Sequence, residues 1–177
     1  MKKKASARAR KSVPPITILV DDKSWRQDKT VVPLLRRAAK TALASMPANL
    51  LPVGAEGGLT ILLTDDARML ALNAEFRGKK RPTNVLSFTS GEDGAHLGDV
   101  ALGYGTVKNE AREQGKTLAA HAAHLAAHGV LHLLGYAHEK RADEALMEAL
   151  ETALLAKLGI GDPYAPRPFK KRRKALH

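Results

Sequence analysis

The chain has 177 residues, enough for one domain with a substantial buried core, and it contains no cysteine. Disulfides, a disulfide-linked partner and thiolate metal ligands are therefore excluded, and any tightly held metal must sit on His, Asp or Glu. The net charge of +11 is carried at the ends: residues 1–12 hold six Lys/Arg and no acid, residues 165–177 another six and no acid, and 17 basic face 18 acidic residues in between.

Segments 1–13 and 165–177 accordingly read as basic disordered tails with salt-dependent affinity for polyanions, flanking a domain at 14–164. Within it, Ile16–Val20 is a strand candidate after the Pro14–Pro15 break. Val31, Leu34, Leu35, Ala38 and Ala42 recur at helical spacing and predict a helix over 30–46. A Pro/Gly loop follows, then a strand at Leu59–Leu63. Thr64, Asp65 or Asp66 caps a helix running to about Phe76. The polar loop FRGKKRPTN (76–84) enters a strand at Val85–Phe88, and Asp99–Leu102 is a further strand. Helices are predicted at 106–114, 118–134 and about 142–158. The pattern predicts a single mixed α/β domain, with the histidine motif on a late, central helix. No apolar run approaches the roughly 20 residues that cross a bilayer. The run Ile16–Val20 after the basic start is too brief for a signal-peptide core, so a soluble, cytoplasmic protein is expected.

The chemistry concentrates in HGVLHLLGYAH, residues 128–138. His128 and His132 are four residues apart and project from one helix face. Gly135 tolerates the left-handed backbone that ends a helix, so the chain can return His138 toward the other two imidazoles. Three neutral nitrogens with an open fourth position describe a catalytic zinc site, with one ion held by three His and a water whose pKa falls to about 7. The spacing matches the metal-protease pattern HExxHxxGxxH except that Gly129 replaces the glutamate base, which disfavours peptide hydrolysis. His121 and His124 lie on the same face. They read as outer partners of the site or groups lining its groove, and His124 is assigned to substrate contact. Arg77, Lys79, Lys80 and Arg81 form a cationic loop, and Arg77, with its planar fork, is a candidate phosphate clamp and catalytic group. Aromatics are scarce, so a base-stacking platform is not expected and RNA would be held through its backbone.

These motifs resemble those of the YbeY family of bacterial metal-dependent endoribonucleases. HGVLHLLGYAH is similar to the family's HGxLHLxGYDH, FRGKKRPTNVLSF to its FRGKDxPTxVLSF, and Leu97–Val100 to its LGDI. Met147 through Tyr164 resembles its closing helix and DPY ending. Ala137, Lys80 and Thr89 depart from the family pattern. The resemblance covers roughly residues 16–164. It implies a zincin-like α+β fold, a single domain with a small mixed sheet packed with helices and the metal site on a late central helix and the following turn. By it His128, His132 and His138 are zinc ligands and Arg77 a functional arginine. The implied activity is single-strand-specific, zinc-dependent endoribonuclease action in 16S rRNA 3′-end maturation and ribosome quality control, with small-subunit proteins as partners. The alternative is a non-catalytic factor in which zinc orders an RNA-binding or ribosome-assembly surface.

Overall fold

Strand residues alternate between faces, and in Leu59–Thr64 (β2) Leu59, Ile61 and Leu63 are buried while Thr60 and Leu62 are half-covered. The structure, a computed structural model, describes residues 14–47, 49, 51–52, 54–90, 96–136 and 141–165. Both predicted tails, apart from Ala165, and residues 137–140, including His138, lie outside the described residues. Four strands form one mixed sheet in the order β1-β2-β4-β3. β1 (Ile16–Val20), β2 and β4 (Gly98–Gly103) run parallel, and β3 (Val85–Thr89) is an antiparallel edge strand. In register, Ile61 stands between Ile18 and Val100, and Val100 is opposite Ser87.

The helices are α1 (Val31–Ser45), α2 (Asp66–Arg77), α3 (Tyr104–Gln114), α4 (Leu118–Leu133) and α5 (Arg141–Ala156). α1 and α4 share the main core with Ile61, Leu63, Val100 and Leu102 of the sheet. α2 packs its Met69 with Leu86 and Ala101, which point to the other sheet face. α4 is buried on most sides, as a helix apolar nearly all round must be. Its small residues let neighbours approach closely, with Ala123 and Ala127 meeting Ala38 of α1. The mixed α+β architecture and the central placing of the histidine-bearing helix agree with the sequence. None of the helices among the described residues is long and apolar enough to cross a membrane.

Two features were not foreseen. Lys23–Arg26 form a 3-10 turn that buries Trp25, whose indole Nε1 donates to the Thr64 carbonyl at 3.0 Å. Secondly, α3 begins at Tyr104 rather than Thr106, because its cap comes from another helix. Asp66 accepts both the amide and the hydroxyl of Thr106 at 3.0 Å, satisfying a donor that the helix start leaves open. Its carboxylate fits because Gly103 and Gly105 have no side chains: a Cβ at either would fall within 3.0 Å of it. Asp66→Ala is expected to cost about 1–2 kcal/mol, as lost helix caps do. A urea titration checks this, and an unchanged midpoint would contradict the capping role.

Candidate metal centre

Helix α4 is built to carry its histidines in fixed positions. Thr117 caps it by accepting the Ala120 amide at 3.1 Å. It ends at Gly135, whose φ of 92° is left-handed, with the Gly135 amide on the His132 carbonyl at 3.0 Å and the Tyr136 amide on the Leu131 carbonyl at 3.1 Å. The predicted helix stop is therefore present. The return of the chain beyond Tyr136 lies outside the described residues.

His128 and His132 bring their Nε2 atoms to 3.1 Å, with rings nearly perpendicular at 81°. Two nitrogens on a tetrahedral zinc at 2.0–2.1 Å would stand about 3.3 Å apart, so the pair has the span of one tetrahedral edge. His128 Nδ1 lies 2.7 Å from Glu151 Oε1. An ionised carboxylate only accepts, so the Nδ1 proton points to it and the Nε2 lone pair of a neutral ring is left for a metal. Among the described residues no set of three His, Asp or Glu converges as a complete metal site. His128 and His132 could supply two corners of such a site, and His138 is the candidate for the third. The donor chemistry fits zinc. Beside His128 a hollow of about 160 Å³ is lined by Glu144, Glu148 and Glu151, negative charge that favours a cation there.

Glu151 was not found in the sequence. It is 1% exposed and bonded on both oxygens. His124 Nε2 donates to its Oε2 at 2.5 Å, and the Tyr164 hydroxyl donates to the same oxygen. Burial alone would raise its pKa, but the bonds from His124, His128 and Tyr164 outweigh burial and hold it at about 2. Burial and the neighbouring Glu151 charge push the Tyr164 hydroxyl well above its usual value, so it stays a donor. The signal for Glu151 was its spacing, since it falls on the same face of α5 as the buried Met147, Leu154 and Leu155. His124, expected to contact substrate, bonds Glu151 and also lines a cleft of about 450 Å³ with Asn84, Glu110, His121 and Tyr164.

His121 is 3% exposed and lies 2.8 Å from Glu110 through Nε2. Asn84, the last residue of the cationic loop, donates to both oxygens of Glu110 at 3.2 and 3.0 Å. Burial lowers the His121 pKa below 6.5, and the bond and charge of Glu110 only partly offset it, while His124 and Lys116 lower it further. A histidine with a depressed folded pKa contributes stability that is complete above pH 6.5 and is lost as pH falls toward the folded value. The metal-free protein should therefore lose up to about 1.4 kcal/mol per pH unit through this group below pH 6.5. Denaturant titrations of wild type and His121→Gln between pH 5 and pH 7.5 check this. Equal slopes would exclude the assignment.

Gly129, read in the sequence as a missing base, has a packing reason. A Cβ there would lie 2.6 Å from Val100 Cγ1 and 3.0 Å from Ser87 Oγ, because α4 is pressed against β3 and β4 at this point. The Ser87 hydroxyl donates to the Gly129 carbonyl at 3.3 Å.

Arg77 ends α2, and Arg77, Lys79, Lys80 and Arg81 are all exposed. Gly78 turns the chain with a φ of 66°, and the buried Asn73 holds the Arg81 carbonyl at 2.8 Å, so the loop has a defined shape. α2 and α4 pack on opposite faces of the sheet, yet Asn84 at the end of the loop lines the same cleft as His121 and His124. The loop's link to the histidines runs through Asn84, Glu110 and His121.

A profile of the family described as Endoribonuclease YbeY matches residues 21–159. An Endoribonuclease YbeY of Paramagnetospirillum magneticum is 52% identical over 137 residues, covering 72% of this chain and 83% of its own. One from a Chelativorans species is 45% identical over 147 residues, covering 80% and 87%. One from Bradyrhizobium diazoefficiens is 41% identical over 166 residues, covering 89% and 88%. The solution structure of a Thermotoga maritima protein, 23% identical, superposes with a TM-score of 0.52 over 86% of this chain and all of its own, a likeness of fold. With the profile spanning most of the domain and relatives above 40% identity along most of their length, the chain belongs to the Endoribonuclease YbeY family.

Proposed function

We propose that this protein is a zinc-dependent endoribonuclease that cuts single-stranded RNA and acts in 16S rRNA 3′-end maturation and ribosome quality control. It would work in the cytoplasm beside proteins of the small ribosomal subunit. The observation that carries the reading is the His128–His132 pair, with Nε2 atoms 3.1 Å apart, in a chain whose relatives are named endoribonucleases. His128, His132 and His138 would hold the ion. Zinc bound there supplies a water of pKa about 7 and a Lewis acid for a phosphoryl oxygen.

The chain's own residues then divide the remaining work. Arg77 offers a bidentate fork for a phosphate, and Lys79, Lys80 and Arg81 add point charges along an RNA backbone. The exposure of all four on a pinned loop supports this. Asn84 joins that loop to Glu110 and so to the helix bearing the histidines.

One observation favours the second reading, a zinc-ordered factor without catalysis. Position 129 is packed into the sheet and Glu151 already accepts from three donors, so neither offers a proton acceptor for cleavage. Depleting the protein in cells and restoring wild type or His132→Ala, then mapping 16S rRNA 3′ ends, separates the two. The enzyme reading expects unprocessed ends with His132→Ala despite retained ribosome association. Normal ends would contradict it.

A further inference from the structure

We propose that Glu151, clamped by Tyr164 and His124, is a positioning residue that fixes the tautomer and orientation of His128 and thereby sets the metal affinity of the site. This rests on the zinc reading above and extends it to the closing segment of the chain. Three elements meet at one carboxylate. From α4, His128 Nδ1 stands 2.7 Å from Oε1 and His124 Nε2 stands 2.5 Å from Oε2; from the turn after α5, the Tyr164 hydroxyl also donates to Oε2.

The turn is itself tied down. Asp162 accepts the Tyr164 amide at 2.9 Å and the Thr152 hydroxyl of α5 at 3.2 Å, and Lys116 Nζ donates to the Pro163 carbonyl at 3.0 Å. Tyr164 is thus a strap from the end of the domain onto the carboxylate that orients a metal ligand.

Packing does not require an acid here. Met147, Leu154 and Leu155 bury the same face of α5, and a leucine at 151 would continue that face without taking a charge out of water. What requires the acid is its partners. Glu151 accepts the Nδ1 proton of His128, which leaves the Nε2 lone pair directed toward His132, and Oε2 is held from the far side so that the carboxylate keeps its orientation. Because both oxygens are engaged, Glu151 acts through His128 rather than as a ligand or a base. His124 follows as the second clamp. Its other ring nitrogen is buried with no hydrogen-bond partner among the described residues, so its visible work is the bond to Glu151.

The test is zinc affinity, measured on the full-length protein by competition with a chromophoric chelator, for wild type, Glu151→Gln and Tyr164→Phe. Glu151→Gln is expected to bind zinc about 10–100-fold more weakly, the usual effect of losing an outer partner of a metal-ligating histidine, and Tyr164→Phe to show a smaller loss in the same direction. Cobalt substituted for zinc should show a shifted visible absorption band in both variants, which a purely structural role would leave in place. Wild-type affinity and spectrum in both variants, whatever their melting temperatures, would overturn the positioning role while leaving the zinc reading intact. If Glu151→Gln does not fold, Tyr164→Phe decides: weaker zinc supports the role and unchanged zinc overturns it. Failure of wild type itself to bind zinc would overturn both.

Discussion

His132→Ala is expected to abolish tight zinc binding and to lower cleavage of single-stranded RNA by more than about 100-fold, while the protein stays folded. The size follows from position. Losing an outer partner of a zinc ligand already costs about 10–100-fold, and His132 offers its Nε2 itself as one of the two converging donors. The fold is expected to survive because His132 is only half-buried, near the end of α4, and alanine is a better helix former than histidine. Metal content, circular dichroism and cleavage rate on the same preparation check all three parts. Cleavage at the wild-type rate by a folded, zinc-free variant would contradict the role of the pair.

Gly129→Glu restores the protease pattern on paper, yet it should yield a severely destabilised protein with no peptidase activity. Its Cβ would fall 2.6 Å from Val100 Cγ1, a branched side chain on a buried strand that has little freedom to yield. Overpacking of this kind costs about 1–3 kcal/mol, and driving an unpaired carboxylate between helix and sheet costs several more. The helix-propensity gain over glycine, below about 1 kcal/mol, does not compensate. A net loss of at least about 3 kcal/mol corresponds to a fall in Tm of roughly 10 °C in a chain of this size. Thermal denaturation measures it. A Tm within about 2 °C of wild type would mean that α4 and the sheet are less tightly packed here than the geometry shows.

The same residue shows what sequence reading captures and what it misses. Gly129 was visible as a departure from HExxH, but its cause was not, because the contact to Val100 and Ser87 spans 29 and 42 positions of chain. Local signals held well: the strand Ile16–Val20 and the stop at Gly135 follow from nearby residues and appear as expected, and of the three cap candidates for α2, Thr64, Asp65 and Asp66, the structure uses Asp65. Long-range ones did not. The start of α3 depends on Asp66, 40 residues away, and the burial of Trp25 on the Thr64 carbonyl. The site divides in the same way. The spacing of His128 and His132 alone predicted their convergence, since one helix turn sets it. Glu151 and Tyr164 reach the site from another helix and a later turn, and only an acid on the apolar face of α5 hinted at the first. Arg77 was identified by type, but its place at the end of α2 relative to the histidines of α4 depends on which sheet face each helix covers, and that is a property of the whole fold.

The proposed zinc dependence is tested most directly by titrating metal-stripped protein with zinc while following binding and cleavage of a single-stranded RNA in parallel. Activity should rise linearly with zinc and reach its plateau at one ion per chain, with a duplex RNA of the same sequence left uncut throughout. Full cleavage by the stripped protein in the presence of a chelator, or saturation of zinc binding with no cleavage at all, would contradict it.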